Sequence, residues 1–450
     1  MSRAVVVGLA RTGAAVAVRL RAEGWDVTVI EDRPGGDQYR QRRAEVEGAG
    51  ATVVEAPSGA DAAGLAGRAD LVVPSPLVAP GHAVVRSALA AGVPVRSEID
   101  LAAERAGCTI VAVTGTNGKT TVTSMIEAML HASGRRAVAA GNIGLPLIDA
   151  VASDADVVVA EVSSFQLAFA ETFRPAVAVL LAITPDHLDW HGTFGEYVAA
   201  KARITEHQSA GDLLVYDADD APATAVAGAS PARTVGVSLR PDAPGCYRVA
   251  GDALVEPDGT PIVALDAMRR ALLHDRTNAL AAAAAAAPAG ANAEGIRATL
   301  ANYATMPHRV ALVGDADGVR WYDDSKATNP DATLRAVASF DSVVLLAGGR
   351  NKGLDLSVLT GARAHLRGVV AFGESAPEIV SAFAGSGTTV VAVSTMRDAV
   401  RAAGEMARPG DTVLLSPACA SFDAYDNYAQ RGDDFAAEFR SQVLGEVPAG

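Results

Sequence analysis

Cysteine is scarce: Cys108, Cys246 and Cys419 are the only three in 450 residues, odd in number and far apart. They outline neither a disulfide framework nor a CxxC metal site, so a reducing cytoplasm and inert buried thiols are expected. Long apolar runs are missing too. The longest alanine tract, 281–287, falls far short of the roughly 18 residues that a membrane span needs. The apolar run at 4–7 is too short for a secretory core and reads as a first β-strand. Aromatics make up 5% and charged residues 20%, while half of the chain is hydrophobic and mean hydropathy is +0.20. That composition belongs to a folded chain, not a disordered one. Basic residues are the minority, 38 against 52 acidic, which gives a net charge of −14 and a pI near 5.0. Such a field repels nucleic-acid backbones and anionic lipids, so nucleic acid and membrane insertion are not expected, and any anionic ligand needs a local site.

What is present is alternation. Short β-branched runs alternate with alanine-rich amphipathic segments along the chain, the pattern of parallel sheets with helical crossovers, so the class is α/β. At about 150 residues per domain the length implies about three domains. A first series predicts strands at 4–7, 27–30, 52–54, 71–73 and 93–96, with helices at 14–23 and 83–91. A second begins with a strand at 109–113, a glycine turn and a helix from Thr120 to about Ser133, which puts a boundary near residue 107. It continues with strands at 157–160, 176–181 and 213–216 and helices at 194–205 and 277–287. The glycine- and proline-rich stretch 228–261 reads as turns and short hairpin strands outside any βα unit, an edge elaboration of the middle domain. A third series from about Pro307 predicts strands at 319–322, 343–346, 369–372, 389–393 and 412–415. No internal repeat or charged tail is evident.

Thr114-Gly115-Thr116-Asn117-Gly118-Lys119-Thr120-Thr121 follows a predicted strand and opens a helix, the context required of a phosphate-binding loop. Backbone N–H groups at such a turn attract phosphate oxygens, Lys119 adds a point charge, and the Thr120 hydroxyl can ligate Mg²⁺. Val113 stands where the usual spacing has a first glycine, so the loop is a variant. Gly8-Leu9-Ala10-Arg11-Thr12-Gly13 is a second strand-to-helix glycine turn, with Glu31-Asp32-Arg33 ending the next strand. It resembles a dinucleotide-type turn, with a plain tight connection as the alternative.

Glu161, just beyond the 157–160 strand, is placed to bind Mg²⁺ near the phosphate loop, a surface glutamate being the alternative. Thr184-Pro185-Asp186-His187-Leu188-Asp189-Trp190-His191 packs two acids and two histidines into one loop. Without HExxH or a nearby cysteine, zinc is disfavoured against an oxygen-bound Mg²⁺ with one imidazole. Lys201 reads by default as a solvated lysine.

Taken together these motifs resemble the ATP-dependent Mur ligases over nearly the whole chain. The match rests on the loop 115–121, Gly141-Asn142-Ile143-Gly144, Glu161 to Gln166, Asp186-His187-Leu188-Asp189, Lys201, His274 to Ala279 and Met306-Pro307-His308-Arg309. It continues through Asp323-Asp324-Ser325-Lys326-Ala327-Thr328-Asn329-Pro330, Gly348-Gly349-Arg350-Asn351-Lys352-Gly353 and Ser416-Pro417-Ala418-Cys419-Ala420-Ser421-Phe422-Asp423. The phosphate loop and the Glu161 block suit any Mur ligase or folylpolyglutamate synthase, whereas the segments at 323–330 and 416–423 point to the D-glutamate-adding branch.

The resemblance implies three domains: a Rossmann-like one at 1–107 for the UDP group, a central P-loop ATPase-like parallel sheet at 108–306, and a Rossmann-like C-terminal one at 307–450 for the amino acid. It implies ligation of D-glutamate to UDP-N-acetylmuramoyl-L-alanine through an acyl phosphate, in cytoplasmic peptidoglycan precursor synthesis by a monomer. Lys119, His187, Lys201 and Arg309 would be catalytic. ATP would meet Gly115, Thr116, Asn117, Gly118, Lys119, Thr120, Thr121, Asn278, Arg309 and Asp324. Arg11, Thr12, Asp32, Arg33, Ser75, Asn142 and His187 would hold the UDP-sugar substrate. Lys326, Thr328, Lys352, Ser416 and Phe422 would receive D-glutamate, with Tyr428 flanking. Two Mg²⁺ ions would be held by Thr120, Glu161, His187 and a carbamylated Lys201, a modification that needs the neutral amine.

Three residues depart from the family pattern: Leu77 where glycine is common, Asp275 for asparagine, and Asn351 for aspartate. The rivals are a sibling ligase or folylpolyglutamate synthase adding another amino acid, and, from a different class, a protein that hydrolyses or senses ATP without making amides.

Overall fold

The computed structural model describes residues 1–445, and its elements run β and α in alternation through three successive sheets. The first contains β1 (Arg3–Val7), β2 (Asp26–Glu31), β3 (Thr52–Glu55) and β4 (Leu71–Pro74), all parallel, in the order β3-β2-β1-β4. The expected fifth strand at 93–96 is reduced to one parallel bridge, Val72 to Val95. Pro94 has no N–H to give, and the segment meets the sheet through the Pro94 carbonyl and the Arg96 N–H, both bonded to Val72, while the Val93 N–H turns back to the Ala88 carbonyl.

The second sheet is built from β5 (Thr109–Thr114), β6 (Ala137–Gly141), β7 (Val157–Glu161), β8 (Val177–Leu180), β9 (Leu213–Asp217), β10 (Arg233–Ser238), β11 (Tyr247–Ala250), β12 (Ala253–Val255) and β13 (Pro261–Ala264). Its order is β13-β12-β11-β10-β9-β8-β5-β7-β6. The 228–261 stretch does elaborate an edge, since β11, β12 and β13 pair antiparallel there. One part of it differs from expectation: β10 runs parallel to β9 and closes a βα unit through the helix Ala221–Ala229. β6 was not foreseen, because its alanines and glycine carry little β signal.

The third sheet has β14 (Ala311–Ala316), β15 (Val319–Asp323), β16 (Val343–Gly348), β17 (Leu366–Phe372), β18 (Thr389–Ala392) and β19 (Thr412–Ala418), ordered β14-β15-β19-β16-β17-β18. β14, also unforeseen, is an antiparallel edge strand on β15. Side chains alternate between two cores. Val343, Leu345 and Ala347 of β16 enter one, with Ile379 and Phe383; Val344 and Leu346 enter the other, with Trp321, Phe435 and Phe439. Both faces are therefore covered, which is why these parallel strands read as continuous apolar runs.

By contact density the chain forms two compact units. One comprises Met1–Ile183, Gly195–Met268 and Thr277–Asn302; the other comprises Thr184–Phe194, Arg269–Arg276 and Tyr303–Gly450. Among the described residues no helix is long and apolar enough to cross a membrane.

Candidate functional site

In the second sheet the chain leaves β5 for β6 and β7 on one side and then returns to β8 on the other, so the strand order reverses at β5. Ligands of open parallel sheets bind beyond the carboxyl ends of strands at such a point. The phosphate loop leaves β5 there. Its helix, Lys119–Ala132, is capped by Gly118 in the left-handed region at φ 85°. A Cβ at Gly118 would also lie 2.6 Å from Asn278 Oδ1 and 3.0 Å from Leu181 Cδ1, so conformation and space both demand glycine.

Two lysines converge on this turn. Lys119 Nζ donates to the Gly115 and Thr116 carbonyls, each at 2.9 Å, and Lys201 Nζ donates to the same Gly115 carbonyl at 2.8 Å. Lys201 is not the solvated residue that its type suggests: it is 1% exposed, 3.4 Å from Thr114 Oγ1 and 4.7 Å from the centroid of the Tyr197 ring. Tyr197 lies one turn earlier on the same helix, Phe194–Ala202, and its hydroxyl is 3.1 Å from Thr116 Oγ1. The two lysine amines thus meet at one loop of a chain whose net charge is −14.

Glu161 ends β7, beside β5, and lies in register with Val113 and Gly141. It is 2% exposed. Asn142 Nδ2 donates to its Oε1 at 2.8 Å, while its Oε2 is buried without a hydrogen-bond partner. A buried carboxylate oxygen left in that state suits a divalent cation. No group of three or more His, Cys, Asp or Glu side chains that could hold a metal occurs among the described residues.

At the first sheet Ser75 is buried, and its hydroxyl donates to the Gly8 carbonyl at 3.0 Å, bracing the glycine turn from behind. Arg11 donates to the Gly144 carbonyl. Asp32 pairs with His82 at 2.8 Å. Glu31 takes the backbone N–H groups of Leu9 and Arg33, at 2.7 and 2.9 Å. Thr12 is half-buried, and Arg33 and Leu77 are exposed.

The second unit holds the remaining expected residues. His187 adopts φ 53° and sits beside Asp186, which accepts from Lys352 Nζ at 2.9 Å and Asn329 Nδ2 at 3.1 Å. Burial acts to raise the Asp186 carboxyl, but the charges of Lys352 and His187 and those two donors hold it below the usual range. Asp324 is buried with Ser416, whose hydroxyl donates to Oδ2 at 2.8 Å, and burial pushes its carboxyl up to about 7 against the pull of Ser416 and Arg309. Lys326 Nζ lies 3.8 Å over the Tyr428 ring. Phe422 is 63% exposed and Thr328 half-buried. Asn351 bonds to Leu354 and Glu378 as a turn residue.

Two arginines escaped the sequence reading. Arg270 clasps Asp275 from Nε and Nη2, at 2.6 and 2.7 Å, and also donates to the Arg309 and Val310 carbonyls. The signal was an aspartate out of pattern with an arginine five residues before it. The other is Arg431, on the helix Tyr428–Gln442. It shares the i, i+4, i+8 face of Phe435 and Phe439, and a charge on an apolar stripe was the sign available.

Two family models match the chain, the Mur ligase middle domain over residues 113–286 and the Mur ligase glutamate ligase domain over residues 308–419. With the curated relatives below, they establish that the chain belongs to the Mur ligase family. Those relatives include the UDP-N-acetylmuramoylalanine–D-glutamate ligase of Frankia casuarinae, 43% identical over 97% of this chain and 94% of the relative. The ligase of the same name from Myxococcus xanthus is 40% identical over 96% and 97%. Among solved structures, MurF from Acinetobacter baumannii aligns with a TM-score of 0.61 at 17% identity, covering 97% of this chain and 93% of that one. The fold is thus the three-domain α/β architecture of these ligases.

Proposed function

We propose that the protein is an ATP-dependent ligase joining D-glutamate to UDP-N-acetylmuramoyl-L-alanine, with release of ADP and phosphate, in cytoplasmic peptidoglycan precursor synthesis. The observation that carries this is 43% identity, over 97% of the chain, to a ligase so named. Domains at 1–107, 108–306 and 307–450, acting as a monomer, complete the reading.

An amide cannot form directly from a carboxylate, which lacks a leaving group. The alanyl carboxylate therefore attacks the γ-phosphorus of ATP; an O–P bond forms, the bond to ADP breaks, and an acyl phosphate results. The D-glutamate amine then attacks the acyl carbon, phosphate leaves with the C–O bonding pair, and the nitrogen loses its proton. Lys119 and the amides of the loop 115–118 hold the phosphates, and Lys119 answers the charge growing on the transferred group. Asn278 and Asp324 are assigned to the nucleotide, with Arg309 on its phosphates. Arg11, Thr12, Asp32, Arg33, Ser75, Asn142 and His187 are assigned to the UDP-sugar. Lys326, Thr328, Lys352, Ser416 and Phe422 are assigned to D-glutamate, whose two carboxylates call for cationic and hydroxyl donors. Thr120, Glu161, His187 and Lys201 would hold Mg²⁺, which when bound neutralises phosphoryl oxygens. Lys201 would serve as a carbamate, formed when its neutral amine adds CO₂ and releases a proton.

The test is phosphate release from ATP and Mg²⁺ with UDP-N-acetylmuramoyl-L-alanine, comparing D-glutamate with L-glutamate, L-lysine, diaminopimelate and L-alanine. Release that requires both the nucleotide sugar and D-glutamate is expected. Turnover with another amino acid would move the protein to a sibling ligase, and turnover with ATP alone would make it a hydrolase or sensor.

A further inference from the structure

In the third sheet β19 is inserted between β15 and β16, so the strand order reverses there as it does at β5. Three segments leave the carboxyl ends of these adjacent strands: 324–330 after β15, 349–353 after β16 and 419–423 after β19. They carry Lys326, Thr328, Lys352 and Phe422, four of the residues assigned to D-glutamate. Loops have no ladder of their own to fix their spacing, and a small acceptor with two carboxylates needs its donors held to fractions of an ångström.

One side chain reaches two of these segments and the last residue of β16, from which the third departs. Arg431 is fully buried, and its guanidinium donates from Nε to Ser325 Oγ at 3.0 Å and from Nη2 to the Ser325 carbonyl at 2.9 Å. Nη1 donates to the Cys419 carbonyl at 3.1 Å and the Gly348 carbonyl at 3.4 Å. Each of the three strand ends supplies at least one acceptor. The neighbourhood is shaped around this group: a Cβ at Gly349, where φ is 124°, would come within 2.9 Å of Nη1 and 2.2 Å of the Ala420 carbonyl. Ser325 Oγ in turn donates to the Tyr428 carbonyl at 2.7 Å, tying the arginine's own helix to the same knot. Arg350 and Ala420 exchange backbone hydrogen bonds at 2.8 and 3.0 Å, joining two of the segments directly.

The partners are neutral. No carboxylate lies within ion-pair distance of Arg431 among the described residues. Burial accordingly lowers the guanidinium to about 10, against the opposing influence of Asp423. Burying a cation on carbonyl groups is costly, and a hydrophobic residue on this apolar helix face would pack without that cost. What a planar fork provides instead is fixed directions to several acceptors at once.

We infer that Arg431 is a positioning residue for the acceptor amino acid, setting the spacing of the three strand-end segments that receive D-glutamate. This rests on the proposed function. It places the specificity of the acceptor site in part on a residue that touches no substrate.

The experiment is steady-state kinetics of the full chain with Arg431→Lys, after wild type has been shown to require D-glutamate. Lysine keeps the charge but not the fork. The KM for D-glutamate should rise by about tenfold or more, with KM for ATP and for the nucleotide sugar changed less than about twofold. A D-glutamate KM equal to wild type, or an equal loss toward all three substrates, would overturn the inference. If Arg431→Lys does not fold, Ser325→Ala removes one acceptor, and should raise the D-glutamate KM by roughly threefold with the other two constant. An unchanged D-glutamate KM in that variant overturns the inference equally. Should wild type use another amino acid, the functional reading fails by itself, and the same comparison made with that amino acid still decides the role of Arg431.

Discussion

At the residue scale, the deepest change that folding made was to Lys201. Read along the chain it is an ordinary helix-surface lysine; in the fold it is 1% exposed, with its amine 2.8 Å from the Gly115 carbonyl. Only the resemblance to the family marked it in advance, because helical spacing alone does not tell which face a neighbouring sheet will cover. The carbamate assigned to it predicts a ¹³C carbonyl resonance when the wild-type protein is equilibrated with ¹³C-bicarbonate, and loss of that resonance in Lys201→Arg. A spectrum identical in the two proteins would remove the carbamate from the mechanism. Asp275 shows the converse. It departs from the family pattern, and the structure supplies a local reason for the acid, namely the two-armed contact with Arg270.

Elements were legible where pattern and context agreed. The strand ahead of the phosphate loop and the helix after it were expected at 109–113 and from Thr120, and are observed at Thr109–Thr114 and Lys119–Ala132. Edge pieces were not, since β6 and β14 lack a run of β-branched residues and gain their order from one neighbouring strand. The helix Glu98–Arg105 carries a testable consequence of packing against Leu147–Ala150. Glu98 is 1% exposed and accepts the Ile148 N–H at 2.7 Å. Burial, helped by the charge of Asp149, pushes its carboxyl from 4.5 to about 7, against the pull of the Ile148 N–H. The folded chain then keeps a proton that the unfolded chain releases near its ordinary value. Stability from this group is complete below about pH 4.5 and is lost as pH rises through about 7. Glu98→Gln, which mimics the protonated acid, should gain on wild type across that window by on the order of 3 kcal/mol at about 1.4 kcal/mol per unit. Denaturant unfolding at the two ends of the window checks it, and a difference that does not vary with pH would contradict it.

For the whole molecule, burial of the cysteines offers a direct check. Cys246 and Cys419 are buried, and burial pushes the Cys419 thiol up to about 11, whereas Cys108 is half-buried. A thiol-reactive dye should therefore report no more than one slow thiol in the native protein and all three after guanidinium unfolding; two or more fast thiols in the native state would be inconsistent with this packing. Three sheets and the phosphate loop were already determined by the sequence, because strand runs, helix periodicity and a glycine turn before a lysine act through neighbours along the chain; the outline of an amide ligase came from the resemblance to the Mur ligases. The convergence of Lys119 and Lys201 on one carbonyl, the half-satisfied carboxylate of Glu161, and the hold of Arg431 on three strand ends were decided only by tertiary structure. Each joins residues from separate strands or helices, and it is the order of strands in a sheet, not the order of residues in the chain, that makes them neighbours.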